Sequence, residues 1–194
     1  WFRRDLRLDD NVGLYHAIKN ETKLVPIFIF DSDILDRLPK EDPRVCFLHE
    51  QIEELNQQLA ESNKKIHVYH GKPIDIFRKI LSAKAVHAVY TNRDYEPYAT
   101  QRDAEIKALL SENDVTFSTY KDHVIFERDE VVKSDGTPYR VYTPYSRVWL
   151  DKFDRQEHLK SHRIDDFEKL TTLADHNNPT LTDIGFTTSK ITAP

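Results

Sequence analysis

An α/β fold is predicted: a doubly wound, five-stranded parallel sheet with helices on both faces (Rossmann-like), followed by a C-terminal linker segment. Three observations predict it. Short apolar runs alternate with amphipathic stretches as far as residue 120, the pattern of successive βαβ units. The runs are nearly continuous in apolar residues, as strands covered on both faces must be. No internal repeat or low-complexity tract interrupts the alternation.

The elements follow in order. Trp1-Phe2 reads as the end of a first strand, and the charged run from Arg3 to Asp10 leads into a capped helix. Residues 23–31 (KLVPIFIFD) form a buried strand, with Pro26 suited to its start because proline cannot donate to a ladder. Asp42 is the N-cap of the next helix and Pro43 its first-turn residue. Val45, Leu48, Ile52, Leu55 and Leu59 mark its apolar face by three- and four-residue steps. Residues 65–70 (KIHVYH) are a strand, 73–83 a helix with Ile74, Phe77, Ile80 and Leu81 inward, and 85–91 (AVHAVYT) a strand. Residues 100–112 are a helix capped by Thr100, and 115–120 the last strand. Beyond Lys121 the pattern changes. Residues 134–137 (SDGT) signal a turn, and Thr143-Pro144 starts a helix running to His158. From residue 161 onward the chain is rich in Thr, Asp and Asn without periodicity, which reads as a linker. Residues 1–150 are thus one domain and 151–194 the end of a helix plus linker.

Composition narrows the function. The chain has 194 residues, 39% of them apolar and 31% charged, with no run near the roughly 20 apolar residues of a membrane-spanning helix and no leader pattern. The single cysteine, Cys46, excludes an internal disulfide and fits a cytoplasmic location. A net charge of −5 makes the chain a poor candidate for the main contact with DNA. The absence of methionine and the opening on a strand end read as a fragment.

Chemistry-bearing motifs are few. There is no Walker loop, GxGxxG or HExxH, and four glycines leave little for a phosphate cradle. His67, His70 and His87 sit on or beside strands without acidic co-ligands at metal spacing, and no metal is expected. Cys46 reads as a small buried hydrophobe. No nucleophile and base can be paired, so the chain is not a self-contained enzyme. In an open α/β sheet, ligands bind beyond the carboxyl ends of the strands. Arg3, Arg4 and Asp5, then 31–33, then 92–96 lie at such ends and should cluster at one rim, although surface ion pairing explains the same charges.

Three segments resemble one family in the same order. WFRRDLRLDDN at 1–11 resembles the photolyase/cryptochrome opening WFRRDLRLxDN. Residues 92–103 (NRDYEPYATQRD) resemble NxDxEPYxxxRD, and 138–149 (PYRVYTPYSRVW) are similar to PYxVFTPFxxxW. The resemblance implies the amino-terminal light-harvesting domain of a deoxyribodipyrimidine photo-lyase. Such a parent flavoprotein repairs UV-induced pyrimidine dimers in DNA with blue light. The resemblance implies partners for this domain: an antenna pigment, an absent C-terminal helical domain carrying FAD, and damaged DNA through the parent, with no membrane. It implies 8-hydroxy-5-deazaflavin or a flavin as the antenna rather than methenyltetrahydrofolate, because Tyr98 and Ala99 stand where folate binders carry an Asn-Glu pair. By position, Arg3, Phe30, Asp31, Arg44, Asp94, Tyr95 and Arg102 are expected to line the slot, with an Arg44–Asp31 salt bridge as the structural alternative. A cryptochrome photoreceptor and a stand-alone nucleotide-binding α/β domain are the competing readings.

Overall fold

The computed structural model describes residues 1–190. Its strands are β1 (Ile27–Asp31), β2 (His67–Gly71), β3 (Ala88–Asn92) and β4 (Thr116–Tyr120). They pair in parallel as β1–β2 and β3–β4, in register from Ile27↔His67 and Ala88↔Thr116. Trp1 and Phe2 stand between the two pairs. Phe2 N–H donates to the Ile27 carbonyl at 2.8 Å and Phe2 bridges Phe28 in parallel. On the other side the Trp1 amino group donates to the Tyr90 carbonyl and the Thr91 hydroxyl donates to the Trp1 carbonyl, both at 2.8 Å. The spatial order is therefore β2, β1, Trp1–Phe2, β3, β4. The expected five strands are four strands and a two-residue bridge, and the order reverses at that bridge, as in doubly wound sheets.

Helices cover both faces. These are α1 (Val12–Asn20), α2 (Ser32–Leu35), α3 (Pro43–Ala60), α4 (Pro73–Ala83) and α5 (Pro97–Glu112). Alternate residues of β1 feed opposite cores, because successive strand side chains point to opposite faces. Phe28 and Phe30 join Phe2, Leu14 of α1 and Ile52, Leu55 and Leu59 of α3. Ile27 and Ile29 join Ile76 and Phe77 of α4 and Ile106 and Leu110 of α5. Asp42 caps α3 as expected, accepting from Arg44 N–H at 2.9 Å with Pro43 in the first turn. In contrast, α5 begins at Pro97, before the expected Thr100 cap. Proline fits the first helical position, so Thr100 N–H instead makes an intrahelical bond to Glu96.

The C-terminal third departs further from expectation. No strands flank the turn at 134–137. The predicted long helix is two: α6 (Tyr142–Lys152), and α7 (Arg155–His158) restarted by Asp154, whose carboxylate accepts from Gln156 and Glu157 N–H. Residues 161–190 are not a free linker but a strap lying back on the body. Leu24 and Leu170 form a parallel bridge, with Leu24 N–H to Lys169 O at 2.9 Å and Thr171 N–H to Leu24 O at 2.6 Å. Leu170, Ile184 and Phe186 of the strap are buried in the core of Phe28 and Phe30. Their burial offsets the entropy of ordering a polar segment.

Candidate functional site

The carboxyl ends of β1 and β3 flank the bridge at Trp1–Phe2, and the turn after it is fixed by a buried polar network. Asn92, at the end of β3, donates from Nδ2 to Asp5 Oδ2 at 2.6 Å and to Asn11 Oδ1 at 2.9 Å. Its Oδ1 accepts from Gly13 N–H at 2.7 Å. Asp5 Oδ1 accepts from Arg3 N–H at 2.7 Å, and Asn11 caps α1 by accepting from Leu14 N–H at 3.0 Å. Asp5, Asn11 and Asn92 are all buried, so each polar atom needs these partners. Gly13 is required by space: a Cβ there would stand 2.9 Å from Asn92 Oδ1 and 3.2 Å from the Thr91 carbonyl carbon.

The network holds Arg3 upright at the rim. Its guanidinium forms an ion pair with Asp103 at 2.7 Å, donates to the Asn92 carbonyl, and lies 4.9 Å from the Trp1 ring centroid. Arg102 lies 5.0 Å from the same ring, so two cations share one aromatic surface. Tyr98 and Arg102 are four residues apart on α5 and therefore share a face. Both reach Asp31 at the end of β1. Tyr98 OH donates to Asp31 Oδ2 at 2.7 Å, and Arg102 Nη1 is 3.9 Å from the same oxygen. Burial pushes the Asp31 carboxyl above the usual carboxylate range, although Tyr98, Asp33 N–H and Arg102 oppose the shift. Burial and then the Asp31 carboxylate push the Tyr98 phenol upward, so Tyr98 remains a donor.

A folded value above the unfolded one means that the folded state binds more protons. Asp31 therefore lowers stability as pH rises through its window. Asp31→Asn keeps one oxygen as acceptor for Asp33 N–H and turns the other into an amide donor, from which the rotatable Tyr98 hydroxyl can accept. It is expected to hold stability at neutral pH within about 1 kcal/mol and to remove this part of the pH dependence, as read by urea unfolding between about pH 4 and pH 7.

The structure thus brings Arg3, Asp31 and Arg102 together through Trp1, Tyr98 and Asp103. Asp94 is at the same rim, where Oδ1 accepts from Tyr95 N–H at 2.7 Å and Oδ2 is 3.4 Å from Arg4 Nε. Burial opposes its ionisation, but the Glu96 and Tyr95 N–H groups and Arg4 hold its carboxyl below the usual range. Three expected residues lie elsewhere. Phe30 is 2% exposed, packed edge-on to Phe28 inside the core. Arg44 does not meet Asp31; it is exposed and pairs with its own N-cap, Asp42, at 2.6 Å. Tyr95 turns toward the segment after β4, donating to Glu127 Oε2 at 2.8 Å beside Arg93, which grips the same carboxylate. Tyr98, Trp1 and Asp103 join this cluster without being among the expected residues. The four-residue step from Tyr98 to Arg102 was the available signal. A cavity of about 710 Å³ runs along the Trp1–Phe2 bridge, from Pro26, Phe77 and Ile80 near the amino ends of β1 and β3 to Trp1, Asp5 and Asn11 of the buried network beneath the rim.

The rim gathers the Trp1 ring, two guanidiniums, a carboxyl and a phenol, each paired with another of the group or with Asp103. Fold and rim together define a doubly wound α/β domain with a cluster of polar groups at its topological switch point. The chain belongs to the DNA photolyase family, whose model matches residues 1–165, and it corresponds to the amino-terminal domain of photolyases and cryptochromes. It is 31% identical to a deoxyribodipyrimidine photo-lyase of Synechococcus, over 77% of this chain and 31% of that protein. It is 28% identical to that of Halobacterium salinarum, over 100% of this chain and 42% of that protein. The Sulfolobus tokodaii photolyase, solved with two FAD molecules, superposes with a TM-score of 0.80 at 25% identity, over 98% of this chain and 42% of that one. The chain therefore spans about a third to two fifths of these relatives. Cryptochromes also match, among them cryptochrome-1 of Drosophila melanogaster at 28% identity over 70% of this chain and 26% of that protein. Among the described residues no helix is long and apolar enough to cross a membrane, and no group of three or more His, Cys, Asp or Glu side chains is placed to hold a metal ion.

Proposed function

We propose that this domain holds a planar antenna chromophore at the rim and serves a cytoplasmic photolyase that repairs pyrimidine dimers. In that protein a following helical domain carries FAD and contacts the damaged DNA. The reading rests on one observation: Tyr98 and Arg102, on consecutive turns of α5, meet Asp31 beside the Trp1 ring at the switch point. The bound pigment would absorb light and pass excitation energy to FAD. The chain's own residues bind and orient it. Arg3 and Arg102, backed by the Trp1 ring, would meet its carbonyl oxygens or polar tail, and Asp31 would accept a ring donor. A flavin or 8-hydroxy-5-deazaflavin presents that pattern. The second FAD and the light-harvesting cofactor named for the Sulfolobus protein favour the flavin.

The test is the absorbance and fluorescence of the purified full-length protein, with dimer repair assayed in blue light. Arg102→Ala is expected to weaken antenna binding at least about tenfold, since it removes a charge-assisted contact. The FAD content and the repair driven by light absorbed directly by FAD should stay unchanged. An antenna retained at full occupancy by both Arg102→Ala and Tyr98→Phe would reject the site. A protein that binds flavin and leaves dimers intact in light would reject repair in favour of the photoreceptor reading.

A further inference from the structure

The strap meets the body across a seam where histidines stand in pairs, one from each side. At the edge strand, His67 of β2 faces His176 of the strap with ring centroids 5.1 Å apart, and Tyr69 lies 4.4 Å from the same His176 ring. His67 is fully buried. Its Nε2 accepts from the strap's Leu173 N–H at 3.0 Å, and its Nδ1 has no partner among the described residues. His176 Nε2 lies 2.9 Å from the Val68 carbonyl, and Lys65 Nζ donates to the His176 carbonyl at 2.7 Å. Asn178 completes the edge, accepting from Val68 N–H and donating to Ile66 O, both at 2.9 Å, as a paired strand would. At the strap's beginning, His16 of α1 and His162 are 6.2 Å apart. His16 stacks on Tyr120 at 4.3 Å, and the Tyr15 ring touches both histidines. Lys19 adds a positive charge near His16. The acid on this side is Asp10, 3.9 Å from His162 Nδ1.

We propose that residues 161–190 are an acid-released strap: docking requires His67 and His16, the body-side member of each histidine pair, to be neutral, and their protonation unseats the strap from the edge of β2. An imidazolium carries hydrogen on both nitrogens and cannot accept the Leu173 N–H. It would also place a charge in a fully buried site facing His176 and Lys65, with no carboxylate opposite. The second pair repeats the conflict with Lys19 on the same side, which Asp10 offsets only at His162.

The proton affinities agree in direction. Burial, then His176 and Lys65, hold His67 down from 6.5 to about 4 against a smaller opposing pull from the strap's Thr171 backbone. Burial, then His162 and Lys19, push His16 below its usual value. A folded value below the free one means that the released state takes up the proton more readily. Docking is therefore complete above pH 6.5, weakens as pH falls through the window down to about 4, and loses nothing further below it. His67 alone predicts docking about 30-fold weaker at about pH 5 than at about pH 7.5.

The buried Cys46 thiol is a built-in reporter, because its Sγ lies 3.3 Å from Thr187 O and Ser189 N beneath the strap. Amide hydrogen exchange at the two pH values, corrected for intrinsic rates, is measured together with Cys46 reaction with 2,2′-dithiodipyridine, referred to the urea-unfolded protein at each pH. Protection of the strap amides and of Cys46 is expected to fall about 10-fold or more at the lower pH, while α3 and β1 stay protected. His67→Gln keeps an acceptor without the proton affinity and should dock at about pH 7.5 and lose most of the fall. Equal strap protection at both pH values overturns the proposal. So does loss of strap and body together, exposure of 171–178 with Cys46 still shielded, or a His67→Gln protein that behaves as wild type. If His67→Gln is undocked at about pH 7.5, the pair His16→Gln and His162→Gln, outside the deep core, must lessen the fall; an unchanged fall overturns the proposal.

Discussion

Replacing Asn92 with leucine is expected to lower the unfolding free energy by about 4 kcal/mol, seen in urea unfolding and as a melting point about 10 °C lower. The side chain is 3% exposed and supplies three short hydrogen bonds, to Asp5, Asn11 and Gly13 N–H. Leucine has a similar size but leaves a buried backbone N–H and part of a buried carboxylate without partners. That loss costs more than a single exposed hydrogen bond. Asn92→Asp separates charge from shape. It sets a second carboxylate against Asp5, which Asn92 approaches to 2.6 Å. Two carboxylates that close cannot both ionise freely, so a folded-state proton is retained at higher pH. Asn92→Asp should thus destabilise at neutral pH and recover as pH falls. A loss below about 1 kcal/mol for Asn92→Leu would mean that the turn after Trp1–Phe2 is held by something other than this network.

The network also explains which parts of the rim were legible. Loops after parallel strands share an edge, so Arg3, Asp31 and Asp94 could be placed together from strand order alone. Their partners could not, because Arg3–Asp103 and Tyr98–Asp31 join residues that are 100 and 67 positions apart. The Asp42-Pro43 signal located the start of α3 correctly, since cap and proline act locally. The same rule misplaces the start of α5, because Thr100 has a capping side chain but lies inside the helix that Pro97 begins. With Pro97 as the first residue, Tyr98 and Arg102 fall on one face and the missing partner of Asp31 becomes visible. Arg44 illustrates the opposite error. A nearby acid in its own cap, Asp42, satisfied it before any distant one could.

Phe186 carries the sharpest test of the strap, whose composition gave no sign of packing. Leu170, Ile184 and Phe186 are isolated apolar residues among Thr, Asp and Asn, without a helical or strand period to mark a face. Yet Phe186 is 5% exposed within the core that holds Phe28 and Phe30. Phe186→Ala should cost about 3 kcal/mol through lost transfer energy and the cavity left behind. Phe186→Leu, which fills most of that space, should cost less than about 1.5 kcal/mol. The measurement is the urea midpoint at constant slope, at about pH 7.5 so that His67 and His16 stay neutral. A connecting linker would tolerate Phe186→Ala within about 0.5 kcal/mol, so that result would detach residues 161–190 from the folded body. A loss near 3 kcal/mol would show that the docked strap contributes core side chains that the α/β segment does not supply for itself.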